Sequence, residues 1–376
     1  MPALERVLDG REPALVAVPA GDDRASRALR VGLRVGQAID DDVALVAGTS
    51  GTTGVPKGAL LTAAALTASA SATHDRLGGP GSWLLALPPY HIAGLQVLVR
   101  SVLAGSAPVE LDVTNAPGGF DVTELPTAIR GLGTGRRYTS LVAAQLAKAL
   151  TDPAAASALA ELDAVLLGGG PAPRPILDAA AAAGIAVVRT YGMSETAGGC
   201  VYDGVPLGGV LLRVAADERI VIGGATLAKG YRNPVDPDPF AEPGWFQTDD
   251  LGTLDEEGVL TVRGRADDAI STGGLTVLPQ PVEAALGTHP AVGDCAVFGL
   301  ADDRLGQRVV AAIVVRDGSE APTLEALRAH VARTLDATAA PRELYIVEAL
   351  PRRGIGKVDR MALVRRFAGS DDQVDQ

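Results

Sequence analysis

With 376 residues, 47% of them hydrophobic and 21% charged, the chain has the size and composition of a two-domain globular protein, not a disordered or fibrous one. A formal net charge of −12 argues against nucleic acid as the main partner, because a phosphate backbone is held by clustered cations. No uncharged apolar run approaches the ~20 residues of a membrane span, and the acidic N-terminus MPALERVLDG does not read as a secretory signal. Two cysteines, Cys200 and Cys295, make neither a disulfide framework nor a zinc cluster, which fits a reducing cytoplasm.

Residues 42–47 (DVALVA) read as a short buried strand running into a glycine- and hydroxyl-rich loop, followed by an alanine-rich helix from about Thr62. Strand-like and helix-like stretches then alternate: SWLLALP, a helix around Leu95 to Leu103, and PVELD. They continue through YTSLV, a helix over Ala143 to Leu150, DAVLLGGG, a helix from Arg174, and IAVVRTYG. Such alternation predicts an α/β sheet with parallel strands. From Gly208 to Arg265, short strands separated by turn signals such as the one at Asp255 to Gly258 predict an antiparallel β subdomain. Beyond it come a helix near Pro281 to Leu286 and strands near Ala296 and over Val309 to Val315. An amphipathic helix then places Leu324, Leu327, Val331 and Leu335 on one face. The expected fold is α/β, with a large N-terminal domain over residues 1–265 and a smaller α+β C-terminal domain over 266–376. The acidic tail GSDDQVDQ reads as disordered.

The strongest local signal is TSGTTGVPKG, residues 49–58. Small residues let the backbone approach phosphate oxygens, hydroxyls at Thr49, Ser50, Thr52 and Thr53 add donors, and Lys57 supplies charge. It is not a Walker A loop, since the lysine follows proline and lacks the adjoining residues of that motif. Lysine occurs at only four positions, Lys57, Lys148, Lys229 and Lys357, in a chain whose other cations are arginine. A compact ammonium and a planar guanidinium are not equivalent at a phosphate, so each retained lysine is a candidate functional residue.

This loop resembles that of the acyl-adenylate-forming superfamily, which includes acyl-CoA synthetases, peptide-synthetase adenylation domains and luciferases. Four further motifs follow in the family's order. Tyr191 to Glu195 (YGMSE) resembles the element whose aromatic ring stacks on adenine, whose hydroxyl residue (Ser194) meets phosphate and whose glutamate (Glu195) holds Mg²⁺. Phe246 to Asp250 (FQTDD) resembles the segment whose final aspartate binds ribose. Gly264 to Asp267 (GRAD) resembles the ribose-contacting arginine and the hinge. Pro351 to Lys357 (PRRGIGK) resembles the loop bearing the lysine of adenylation.

The resemblance implies an ATP-dependent acid–thiol ligase in which Lys357, Glu195, Ser194 and Thr49 are catalytic. The nucleotide set would be Thr49, Ser50, Gly51, Thr52, Thr53, Gly54, Lys57, Gly168, Gly169, Gly170, Tyr191, Gly192, Met193, Ser194, Asp250, Arg265 and Lys357. The C-terminal domain would act as a mobile lid turning about Asp267, and Gly273 and Gly274 would admit coenzyme A. Tyr138 to Leu146, Gly168 to Pro173 and TYGMSETAGGCVYDGVPL narrow the resemblance to the o-succinylbenzoate–CoA ligases of menaquinone synthesis, in their short actinobacterial form. It then implies His91, Ser140, Lys148 and Gly198 around the acid, with Lys148 facing the free carboxylate. The co-substrates would be ATP and coenzyme A, with Mg²⁺ as cofactor and a homodimer left open.

The chain departs from the family by reaching its phosphate loop at residue 49, by carrying Asp249 where glycine is usual and by carrying Ser271 where many relatives have lysine. The competing readings are another aryl or fatty acyl-CoA ligase, a stand-alone enzyme that loads a carrier protein, and a catalytically idle nucleotide-binding regulator.

Overall fold

Buried runs set the frame. In the computed structural model, which describes residues 1–19, 24–49, 56–113, 121–353 and 356–368, Tyr138 to Val142 and Ala164 to Leu167 are buried without alternation. Strands covered on both faces read this way. They lie at the centre of a seven-stranded sheet. Its order from edge to edge is Val205–Pro206, Gly198–Tyr202, Val187–Met193, Ala164–Gly168, Arg137–Val142, Ser82–Leu85 and Val109–Glu110. The last five are parallel to one another, Gly198–Tyr202 runs antiparallel to them, and Val205–Pro206 turns back antiparallel to Gly198–Tyr202. Trp83, Tyr138, Cys200 and Tyr202 anchor the core on one side of this sheet.

The predicted strand at 42–47 forms as Val43–Ala47, but it is not part of the parallel sheet. It lies in a separate three-stranded sheet, parallel to Leu15–Val16 and antiparallel to Ala59–Thr62. The alternation of elements could not reveal this, because the return arm Ala59–Thr62 runs straight into the helix Ala63–Arg76. Thr62 serves both elements, ending the strand and accepting the Ala65 amide at 3.1 Å as the helix cap.

The antiparallel stretch after Gly208 is a four-stranded sheet in the order Val210–Val214, Arg219–Gly224, Trp245–Leu254, Leu260–Arg265. The C-terminal portion has its own sheet, built on the long hairpin of Val292–Asp302 and Gly306–Val315. Glu343–Ile346 pairs with it in parallel, and Pro279–Gly287 and Leu324–Val331 pack on it through Val282, Leu286, Leu327 and Val331. The chain divides into two compact units. One comprises Met1–Ala172, Asp178–Thr248 and Leu254–Leu260; the other comprises Pro173–Leu177, Asp249–Thr253 and Thr261–Gln376. Among the described residues no helix is long and apolar enough to cross a membrane.

Candidate active site

Ser50, Gly51, Thr52, Thr53 and Gly54 lie outside the described residues. Thr49 and the segment from Pro56 flank them. Thr49 Oγ1 is buried with no hydrogen-bond partner among the described residues. On the far side the segment 229–233 pins the return arm by backbone bonds: Lys229 N to Leu60 O, Leu60 N to Gly230 O, Arg232 N to Gly58 O and Asn233 N to Lys57 O, all 2.7–3.0 Å. Asn233 Nδ2 also donates to the carbonyls of Gly32 and Pro56. Lys57 Nζ sits 5.3 Å from the centre of the Tyr231 ring, and the Tyr231 hydroxyl donates to Glu195 Oε1 at 2.6 Å. Through Tyr231, Lys57 and Glu195, 138 residues apart in sequence, are brought to one place.

Glu195 sits on a 3₁₀ turn, Ser194–Thr196, between the strands Val187–Met193 and Gly198–Tyr202. Ser194 and Glu195 are both buried, and the Glu195 carbonyl accepts the Ala228 amide at 2.8 Å. Thr196 Oγ1 accepts from Met193 N at 3.0 Å and lies 2.7 Å from the Gly198 carbonyl. The turn ends at Ala197 with φ +51, a left-handed conformation that costs a non-glycine residue about 1 kcal/mol or more. Opposite the turn, a methyl group at Gly192 would come 2.1 Å from the Gly198 carbonyl oxygen, so this close strand approach needs glycine.

Tyr191 is half-buried against the core of the large sheet, and Met193 packs beside it. Gly168, Gly169 and Gly170 end the strand Ala164–Gly168; a side chain at Gly168 would collide with Thr190 Oγ1. His91 precedes the helix Ile92–Leu103, its ring 4.7 Å from that of Tyr90, and burial lowers its pKa, leaving the imidazole neutral at pH 7. Gly198 lies against this helix, with its missing side chain directed at Gln96 and Ile92. Ser140 is buried on the strand Arg137–Val142. Lys148 is in the last turn of the helix Ala143–Leu150, where its charge reaches the Asp121 carboxylate.

The second unit gathers the other predicted residues around Arg265. Its guanidinium is bidentate to Asp267, with both contacts at 2.7 Å, and lies 3.5 Å from Asp250 and 3.6 Å from Asp249. The hydrogen bonds to Asp267, reinforced by the charges of Asp267, Asp250 and Asp249, raise the Arg265 pKa despite its burial. Burial works to raise the Asp267 pKa, but Arg265 and Lys357 outweigh it and hold the carboxyl below its usual range. Asp250 is the more enclosed of the adjacent pair, its side chain 14% exposed against 50% for Asp249. Lys357 opens the short strand Lys357–Val358 and feels the charges of Arg265, Asp268, Asp250 and Asp267. Desolvation of its ammonium, then Arg265, lowers its pKa against the pull of the three aspartates. Gly273 and Gly274 form the two-residue turn between Ile270–Thr272 and Leu275–Val277, with φ +59 and +80. Two successive positive φ values define a tight hairpin turn, which by itself accounts for this glycine pair.

Three further polar residues are tied into the fold. Lys229 bonds to Asp40 and Asp42 at 2.9 and 2.8 Å. His74 is buried against Trp83, and Cys200 is fully buried, its thiol pushed up to about 12 by burial. Sequence reasoning missed Tyr231 as the partner of Glu195; its only signal was the family-like Lys229-Gly-Tyr231 run.

Residues 8–231 match the family model described as "AMP-binding enzyme", and residues 281–357 match "AMP-binding enzyme C-terminal domain". The chain belongs to the AMP-binding enzyme family. Within that family it is similar to a Mycobacterium tuberculosis (strain ATCC 25618 / H37Rv) protein named "Probable 2-succinylbenzoate--CoA ligase". The two are 80% identical over 375 residues, covering 99% of this chain and 96% of that one. It is also similar to the 2-succinylbenzoate–CoA ligase of Geobacillus sp. (strain WCH70), 36% identical over 356 residues, which are 88% of this chain and 70% of that one. Among solved structures it resembles o-succinylbenzoate CoA synthetase (MenE) from Bacillus subtilis in complex with the acyl-adenylate intermediate OSB-AMP. The TM-score is 0.75 at 27% identity, covering 96% of this chain and 80% of that one. The same synthetase in complex with ATP and magnesium ion gives a TM-score of 0.73 at 27% identity, covering 96% and 82%. The AMP-binding fold of these relatives is the large α/β domain with a smaller C-terminal domain that the sequence predicts.

Proposed function

We propose that this AMP-binding enzyme is a 2-succinylbenzoate–CoA ligase, acting in the cytoplasm in menaquinone biosynthesis. The observation that carries the reading is its 80% identity, over nearly the whole of both chains, to a protein named as such a ligase. The acid's carboxylate attacks the α-phosphorus of ATP and pyrophosphate leaves. The thiol of coenzyme A then attacks the acyl carbon and AMP leaves.

Each gathered group has a task in this scheme. Thr49, Lys57 and the loop between them take the phosphates, while Tyr191 and Gly168–Gly170 take adenine. Asp250 accepts hydrogen bonds from the ribose hydroxyls, and Arg265, held by Asp267, contacts the same sugar. Lys357 supplies positive charge to the α-phosphate as the pentacoordinate transition state gathers negative charge. His91, Ser140 and Gly198 line the acid, with Lys148 paired to its second carboxylate. The reading keeps the division expected from the sequence, a domain over residues 1–265 and a lid over 266–376.

The donor set fits magnesium brought by the nucleotide. Magnesium is commonly held by one or two carboxylates together with substrate phosphates and water. Glu195 offers one buried carboxylate beside the Ser194 hydroxyl, and among the described residues no three His, Cys, Asp or Glu side chains form a protein cage. When bound, the ion neutralises phosphate charge. Glu195 would hold it, with Tyr231 orienting the carboxylate.

ATP–pyrophosphate exchange with 2-succinylbenzoate, benzoate, salicylate and medium-chain fatty acids tests the acid. A choice between coenzyme A and a carrier-protein thiol follows. Exchange driven best by 2-succinylbenzoate and completed by coenzyme A is expected. A preference for another acid, or for the carrier thiol, refutes the assignment, and nucleotide binding without exchange would mark an idle regulator. Sedimentation equilibrium tests the homodimer.

A further inference from the structure

Two helices remote from the Glu195 turn each direct a buried polar side chain at a single carbonyl, that of Ala197. Ser69, on Ala63–Arg76, donates through Oγ at 2.9 Å, and Gln96, on Ile92–Leu103, donates through Nε2 at 2.6 Å. Both residues are fully buried. Neither caps its helix, and Gln96 interrupts an otherwise apolar run from Ile92 to Val99. Gln96 Oε1 has no partner among the described residues, so this amide leaves part of its hydrogen-bonding capacity unmet in the core. An apolar side chain of the same shape would avoid that penalty, which makes the bond to Ala197 the reason for an amide here.

The bond falls where the backbone is strained. Ala197, at φ +51, closes the turn that presents Ser194 and Glu195, and a left-handed residue persists only where its surroundings over-determine it. Thr196 ties the base of the turn, Ala228 holds the Glu195 carbonyl, and Tyr231 holds its carboxylate. The remaining end, the Ala197 carbonyl, is held by Ser69 and Gln96.

We propose that Ser69 and Gln96 are positioning residues that fix the Ala197 bend and thereby aim the Glu195 carboxylate at the nucleotide's magnesium. The inference rests on the reading of Glu195 as the magnesium ligand. Its test compares ATP affinity, by titration calorimetry on the full chain, in magnesium and in EDTA. Magnesium should tighten ATP binding to the wild type. Ser69→Ala and Gln96→Met should lose that gain by about tenfold or more, the range seen for groups that orient a metal ligand, with metal-free affinity kept within about twofold. Ser69→Ala removes a single atom and keeps the test available should Gln96→Met fold poorly, which thermal melting would reveal. Equal weakening with and without magnesium would mean that the pair supports only the fold and would overturn the inference, as would full retention of the gain. Glu195→Gln, run in parallel, should lose the gain outright. If it does not, the magnesium reading of Glu195 fails, and the positioning role falls with it.

Discussion

Replacing Lys357 by alanine separates the two chemical steps. Lys357 is exposed at the start of its strand, and its ammonium feels the charges of Arg265, Asp250, Asp267 and Asp268, which leave it placed to act on a nearby phosphate. Removing one preorganised charge from a transition state costs ~2.7–4 kcal/mol, a hundredfold to a thousandfold in rate. Lys357→Ala should lose acyl-adenylate formation by that factor and make thioester from preformed acyl-adenylate at nearly the normal rate. Two single-turnover assays measure this. The pH profile supplies a second readout. The protonated amine is the active form and its pKa is lowered, so adenylation should fall as pH rises through a value below the ordinary lysine range. Lys357→Arg should move that limb to higher pH. Because Lys357 is an exposed residue, Lys357→Ala should leave the melting temperature nearly unchanged. Equal damage to both half-reactions, or a marked fall in melting temperature, would show that Lys357 is structural and refute the reasoning.

Asp250→Ala should weaken ATP severely while Asp249→Gly is nearly silent, since Asp250 is the enclosed member of the pair; titration of ATP against both variants checks this, and the reverse ranking would mean a shifted motif. Lys148→Glu should raise KM for 2-succinylbenzoate at least about tenfold and leave KM for ATP unchanged, a charge-assisted contact being worth ~1.5–3 kcal/mol; unchanged acid kinetics would release Lys148 from the acid site. Gly192→Ala should destabilise the large unit by about 1–3 kcal/mol, the usual cost of overpacking, because its methyl would meet the Gly198 carbonyl; calorimetric melting measures it, and an unchanged transition would contradict the close approach.

The elements around the site were largely legible because each carries a local signature. Val43–Ala47 and Ala164–Gly168 are apolar runs between turn signals, Arg137–Val142 is rich in strand-forming residues, and the nucleotide motifs were read residue by residue. What escaped was long-range. Nothing near Tyr231 announces that its hydroxyl will reach Glu195, and nothing near Val43 tells which sheet it will join. Gln96 did carry a local hint, an amide in an apolar helix, but its target lies 101 residues away at a bend visible only in the backbone. Gly273 and Gly274 have two separate reasons for their type. The sequence reading gave them room for coenzyme A, and the backbone adds a hairpin turn whose two positive φ values favour glycine.

The pinning of Lys57 and Gly58 by Arg232 and Asn233 has a consequence for synthesis. A chain growing from the ribosome finishes its phosphate loop early, yet that loop's second anchor is made some 175 residues later, and closing so distant a contact is slow. Until Asn233 has emerged, Lys57 has no fixed backbone beneath it and Glu195 has no Tyr231. A nascent chain stalled before that point should already hold most of its parallel sheet and still not retain ATP. Nucleotide capture is therefore expected late in the making of this chain, after its segment 229–233 has joined the return arm.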